Sequence, residues 1–145
     1  MSLTLFNDFI ENFGLKVFNL NTDVVKAALV TSTSPPTAST ANPTWGAAGT
    51  NLSTNECSAG GNYSSGGVDI NAVWTETSGT GKFDGDNYQL LQNAGNPTDA
   101  SYLVLYSDTA TNKECIGFVD LSGPVNCTLG DLNVTWDAAG IFTLS

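Results

Sequence analysis

The 145 residues fit one domain, long enough to bury a core without disulfides or a metal. Hydrophobic residues make up 41% of the chain, and three Trp, four Tyr and seven Phe exclude a disordered polypeptide. Fourteen carboxylates oppose four lysines with no arginine or histidine, a formal net charge of −10 that repels phosphate; nucleic acid and anionic membrane are excluded as partners, and a basic protein surface is expected.

Between Thr4 and Phe13 the apolar residues Phe6, Phe9, Ile10 and Phe13 recur at the spacing of one helical face. The pattern predicts a short amphipathic helix with Thr4 as N-cap and Gly14 as its C-terminal stop. Val24 to Thr31 is rich in β-branched residues and predicts a strand that ends before Pro35 and Pro36. Ser32 to Asn55 is long, polar and interrupted by prolines, which predicts an external excursion.

A glycine-rich segment from Ser58 to Gly67 precedes an alternation in which Val68, Ile70, Ala72 and Trp74 share one face of a strand. Further strands are predicted at Tyr88 to Gln92, Tyr102 to Ser107, Cys115 to Leu121, Leu132 to Trp136 and Ile141 to Leu144, each bounded by Gly, Asn, Asp or Pro. The chain therefore reads as a mainly β, single-domain β-sandwich or barrel-like module over residues 1–145, with a short N-terminal amphipathic helix.

The residues offer little chemistry. Without histidine the usual Ser/His and Cys/His nucleophile pairs are missing, so no enzyme is expected. Asp84 and Asp86 stand two apart on a Gly-containing stretch and read as a solvated turn. The start of a calcium loop there fails, because Gly95 occupies the position that needs a bidentate glutamate. Gly60 to Gly67 lacks the Lys and Ser/Thr of a phosphate loop and reads as a turn or a close backbone approach.

Cys57, Cys115 and Cys127 are odd in number and widely spaced, so they are expected to be reduced, and no cofactor or metal is expected. Four Asn-x-Ser/Thr matches, at Asn51, Asn62, Asn126 and Asn133, are what an Asn- and Thr-rich chain produces by chance. No stretch approaches a membrane span, and the N-terminus lacks the basic and apolar regions of a signal peptide, so a soluble product is expected.

Four segments, in order, resemble a family of small tailed-bacteriophage virion proteins that includes capsid decoration (cement) proteins. The first is Phe6-Asn-Asp-Phe9 with Asn19-Leu-Asn-Thr-Asp23-Val-Val-Lys26-Ala-Ala-Leu29, similar to an amphipathic start and an "NLxTDxxKxxL" strand. The second, Glu56 to Gly67, is similar to an "E…AGGxYxxGG" block, and the third, Tyr102 to Asn112, to a "YxVLYxDTATN" strand and turn. The fourth is Ile116 to Asp120 with Gly130 to Leu144. The chain departs from the pattern around Pro35 to Gly49 and at Tyr88 to Asn96, where a tryptophan-containing strand is expected.

The resemblance implies a β-rich module on the capsid surface of a virion, made in the host cytoplasm, with the major capsid protein and its own copies as partners and a homotrimer as the first expectation. Oligomer or capsid contacts are expected on the helix and the proline-rich excursion, at Phe6, Phe9, Phe13 and Trp45. The alternatives are a tail or head-tail junction component, and a carbohydrate or host-surface binding module using Trp45 or Trp74. Of these two rings, Trp74 is expected in the core because it lies on the apolar face of its strand.

Overall fold

The computed structural model describes residues 1–46 and 48–145. The chain opens with a two-residue strand, β1 (Thr4–Leu5), and a helix, α1 (Asn7–Gly14). Thr4 does not cap the helix; it pairs with Phe118 in the main sheet, and the N-cap position falls to Phe6, which makes no side-chain capping bond. Packing decides the start, since the Phe6 ring is fully buried with its centroid 5.3 Å from that of Phe118.

The helix ends at Gly14, but the left-handed residue that closes it is not this glycine. Lys16 takes the left-handed conformation, φ +60°. Its N–H donates to the Phe13 carbonyl at 3.2 Å and that of Val17 to the Asn12 carbonyl at 2.9 Å, a Schellman closure with lysine where glycine is usual. Gly14 is the last helical residue, and a β-carbon there would meet open space. Gly14→Ala and Lys16→Gly are therefore each expected to stabilise the protein by about 0.5–1 kcal/mol, read from urea unfolding midpoints. Loss of stability in both would contradict this description of the helix end.

The remaining strands are β2 (Val25–Val30), β3 (Pro43–Thr44), β4 (Thr50–Asn51), β5 (Val68–Asp69), β6 (Val73–Thr77) and β7 (Thr80–Asp84). They continue with β8 (Tyr88–Leu90), β9 (Ala100–Ser107), β10 (Cys115–Val125), β11 (Leu132–Val134) and β12 (Phe142–Leu144). The fold is mainly β with one short N-terminal helix, as the sequence implies. Its main sheet is antiparallel and open, in the order β1-β10-β9-β2-β5; the smaller sheets are β12-β7-β6, β11-β8 and a parallel β3-β4 pair.

Both faces of the main sheet are buried. Leu29, Leu103 and Val119 are cross-strand neighbours on one face, and Ala28, Val104 and Phe118 on the other. Burial on two sides is why β2 and β9 read as continuous apolar runs without alternation. Trp45 covers part of the second face, stacked on Tyr106 with ring centroids 4.9 Å apart and planes 8° from parallel.

That contact corrects the reading of Ser32 to Asn55 as an external excursion. Pro36, Pro43, Thr44, Trp45 and Leu52 are buried, and the Trp45 N–H donates to the Lys113 carbonyl at 2.8 Å. Its hydroxyls and amides tie the segment to itself. Thr44 Oγ1 donates to the Gly46 and Ala48 carbonyls, Thr50 Oγ1 to the Ala41 carbonyl, and Asn51 Oδ1 accepts the Ser53 N–H to open a 3-10 turn at Leu52–Asn55. Side-chain to backbone bonds of this kind replace the ladder that an irregular segment lacks.

The alternation from Val68 to Trp74 is also not one strand. Asn71 sits at φ +48° with its N–H on Asp69 Oδ1, a local turn that Asn tolerates, so the chain leaves the main sheet after β5 and starts the β6-β7 hairpin. Ile70 is buried whereas Val68 is 45% exposed, so the shared face exists only in part.

Candidate interaction surface

The glycine-rich segment closes the edge of β2. Beyond the short β5 pairing, the Leu29 N–H donates to the Tyr63 hydroxyl at 3.0 Å, and the Leu29 carbonyl accepts the Cys57 N–H at 2.9 Å. The Glu56 carboxylate gathers the loop, accepting from the Tyr63 hydroxyl at 2.9 Å, Ser65 Oγ at 3.0 Å and the Gly66 N–H at 2.5 Å. The Gly66 carbonyl in turn accepts the Tyr106 hydroxyl at 2.7 Å, linking the loop to the Trp45 stack. Burial pushes the Tyr63 and Tyr106 phenols up, so both hydroxyls stay protonated as donors. With its acceptor positions used by the loop, this network anchors structure and presents no reactive group.

Asp108 organises the turn after β9. Its carboxylate pairs with Lys113 at 2.7 Å and Lys26 at 2.9 Å, and these hydrogen bonds, Lys113 first, hold its carboxyl below the usual range against the opposing effect of burial. A depressed folded pKa contributes stability that is fully present above the unfolded value near ~3.9 and is lost as pH falls through the folded value. Asp108→Asn is therefore expected to lower stability at pH 7 by about 1 kcal/mol and to shrink the difference between pH 7 and pH 3. Thermal melts at the two pH values check this; an unchanged difference would contradict it.

The acidic and thiol candidates are held elsewhere. Asp84 pairs with Lys82 at 2.7 Å, and Asp86 accepts the Asn71 side-chain amide at 2.6 Å, so the two carboxylates serve different partners. All three cysteines are buried and free. Burial, then the nearby Asp99 carboxylate, pushes the Cys57 thiol up to about 12; burial also raises Cys115 and Cys127, leaving thiols of low reactivity.

The four expected contact residues part company. Phe6, Phe9 and Trp45 lie in the core at 0%, 2% and 7% exposure, whereas Phe13 is 37% exposed. Ile10, on the same predicted apolar face, is 66% exposed, and Leu15 is 67% exposed. The Phe13 ring lies 6.1 Å from that of Trp74, and together with Phe18, Leu20 and Lys16 the two rings border a shallow pocket of about 370 Å³. The Trp45 ring is stacked on Tyr106 and buried, while the half-buried Trp74 ring lies against Gly81 on one side, where a β-carbon would come within 2.3 Å of it, and borders the pocket on another.

Among the exposed apolar side chains, Ile10 and Phe13 lie on α1, Leu15 follows it and Val73 lies on β6 beside the half-buried Trp74, while others such as Leu91 and Leu129 lie elsewhere. Trp74 is a candidate from the sequence, but the β6-β7 hairpin that carries it is not among the predicted strands. Its signal was the Ser78-Gly79 pair between Val73-Trp-Thr-Glu-Thr77 and Thr80-Gly-Lys-Phe-Asp84, a two-residue hairpin turn in which both residues have positive φ. No family model, curated protein or solved structure matches the chain.

Proposed function

We propose that this chain is a structural virion protein that binds the outside of a tailed-phage capsid and stabilises contacts between shell subunits. The observation that carries the reading is the collinear resemblance of four segments. They supply β2, the loop that closes its edge, β9 with its Asp108 turn and part of β10 in the framework of the main sheet, and β11 and β12 in two smaller sheets. Trp45 joins this framework from outside the resembling segments.

Physical features support the role. A capsid stabiliser acts through area and not through a reactive centre, and many free copies must remain apart before assembly, which a net charge of −10 favours. Apolar side chains exposed on α1 and β6 offer a contact area that the chain leaves uncovered.

The test is a phage lacking this gene. Its particles are expected to release DNA at a lower temperature than complete particles, and purified protein added back is expected to restore the difference. Equal release temperatures, or no restoration on addition, would count against decoration.

A further inference from the structure

We infer that the free edge of β6 is a docking site for an extended segment of another protein, one carrying a large apolar side chain beside Trp74 and a lysine or arginine beside Glu76. Thr77 and Thr80 flank the two-residue turn as a hydrogen-bonded pair, and Thr75 with Lys82 and Val73 with Asp84 follow in register. That register turns the N–H and C=O groups of Trp74 and Glu76 away from β7. Among the described residues no backbone partner reaches them.

β6 differs from the other edges. With five residues it is longer than β1, β5 or β12, and it carries none of the proline or bulges that commonly blunt an exposed edge. Trp74, Phe83 and Phe142 form a cross-strand row on one face of the small sheet, and the row ends, half-buried, at Trp74. An added strand would continue it, with the side chain opposite Trp74 on the same face, near the pocket bordered by Phe13.

Charge selects the occupant. Glu76 shares the face of Trp74 two residues on and is exposed. Its Oε1 accepts the Gly79 N–H at 2.6 Å, which fixes the carboxylate over the turn and leaves its charge and second oxygen to an added strand that meets the ring and then the carboxylate. A cation there forms a cross-strand pair, and a net charge of −10 attracts a basic segment at longer range. A second copy would bring another Glu76 and another −10 to the same edge. The inference rests on the decoration reading only in taking the strand donor to be a shell protein.

The experiment titrates the full chain with two synthetic peptides while amide shifts are recorded: Thr-Lys-Thr-Leu-Thr-Lys-Thr, in which leucine opposite Trp74 puts a lysine opposite Glu76 in either strand direction, and the same peptide with Glu for Lys. The Lys peptide is expected to shift the amides of residues 74–76 and to bind about tenfold more tightly than the Glu peptide. Glu76→Lys is expected to reverse that order, and Glu76→Pro, which removes an outward N–H and spares the backbone ladder of the hairpin while losing the Gly79 N–H bond to the Glu76 carboxylate, to abolish binding. Should the proline variant fail to fold, the Glu76→Lys reversal decides.

Absence of shifts in β6, or equal affinity for both peptides, would overturn the inference. So would self-association of the chain that Glu76→Lys disrupts, since a second copy would then own the edge. These measurements use no particles, so their failure would remove the docking edge and leave decoration to be judged on virions.

Discussion

Gly67→Ala is expected to lower stability by about 3 kcal/mol or more, near the upper end for a single substitution, and to lower the melting temperature by about 10 °C. Gly67 sits at φ +72°, and a β-carbon there would lie 1.9 Å from the Ala27 carbonyl oxygen and 2.8 Å from Ala28 Cα. Neither neighbour has room to move, because Ala27 and Ala28 are in register with Leu105 and Val104 in the middle of the main sheet. Relief therefore requires β5 to leave β2, with loss of the Lys26–Asp69 and Ala27–Val68 pairings.

Gly66 supplies the internal control. It also has positive φ, but its nearest obstacle is the Tyr106 hydroxyl at 3.4 Å. Gly66→Ala is expected to cost only the left-handed penalty, about 1–2 kcal/mol. Urea unfolding of both variants checks the ranking. Equal losses would mean that the glycine-rich loop does not press on β2 as described.

Trp45→Ala is expected to destabilise the isolated protein by about 3–5 kcal/mol, the range for removing a large aromatic from a core. The substitution deletes the stack on Tyr106 and the main buried side chain that pins the segment from residue 32 to 55. Phe13→Ala, at a half-open ring, is expected to cost no more than about 1.5 kcal/mol. The pair separates core from contact: a residue reserved for a partner shows its effect in the assembly, whereas Trp45 shows it in the free chain. A small loss for Trp45→Ala would return that ring to the contact residues.

The parts of the fold legible in the sequence are those where composition and burial agree. Val25 to Val30, Tyr102 to Ser107 and Cys115 to Leu121 are apolar on both faces because the sheet is covered on both sides, and no period had to be read. Where local chemistry competes with pattern, the reading fails. Asn71 breaks an apparently regular alternation through one bond to Asp69. Thr80 to Asp84 carries glycine and lysine in place of β-branched residues, so only the Ser78-Gly79 turn announced that strand.

The contact surface was legible only in outline. Helical periodicity placed Phe6, Phe9, Ile10 and Phe13 on one face, but it did not say how far the sheet reaches across that face. Phe6 and Phe9 are covered, and Ile10 and part of Phe13 are not. Irregular spacing likewise concealed that Pro36, Pro43, Trp45 and Leu52 bury a segment whose Ser and Thr content reads as surface. Those hydroxyls satisfy backbone groups within the segment, a use that composition does not distinguish from solvation.

The measurement that bears most directly on the proposed role is the copy number of this protein relative to the major shell protein in purified particles, by quantitative mass spectrometry. Decoration predicts a ratio of order one, since sites repeat over the whole shell. A ratio of a few per cent would contradict it in favour of a tail or junction component, and absence from the particle would contradict a virion role altogether.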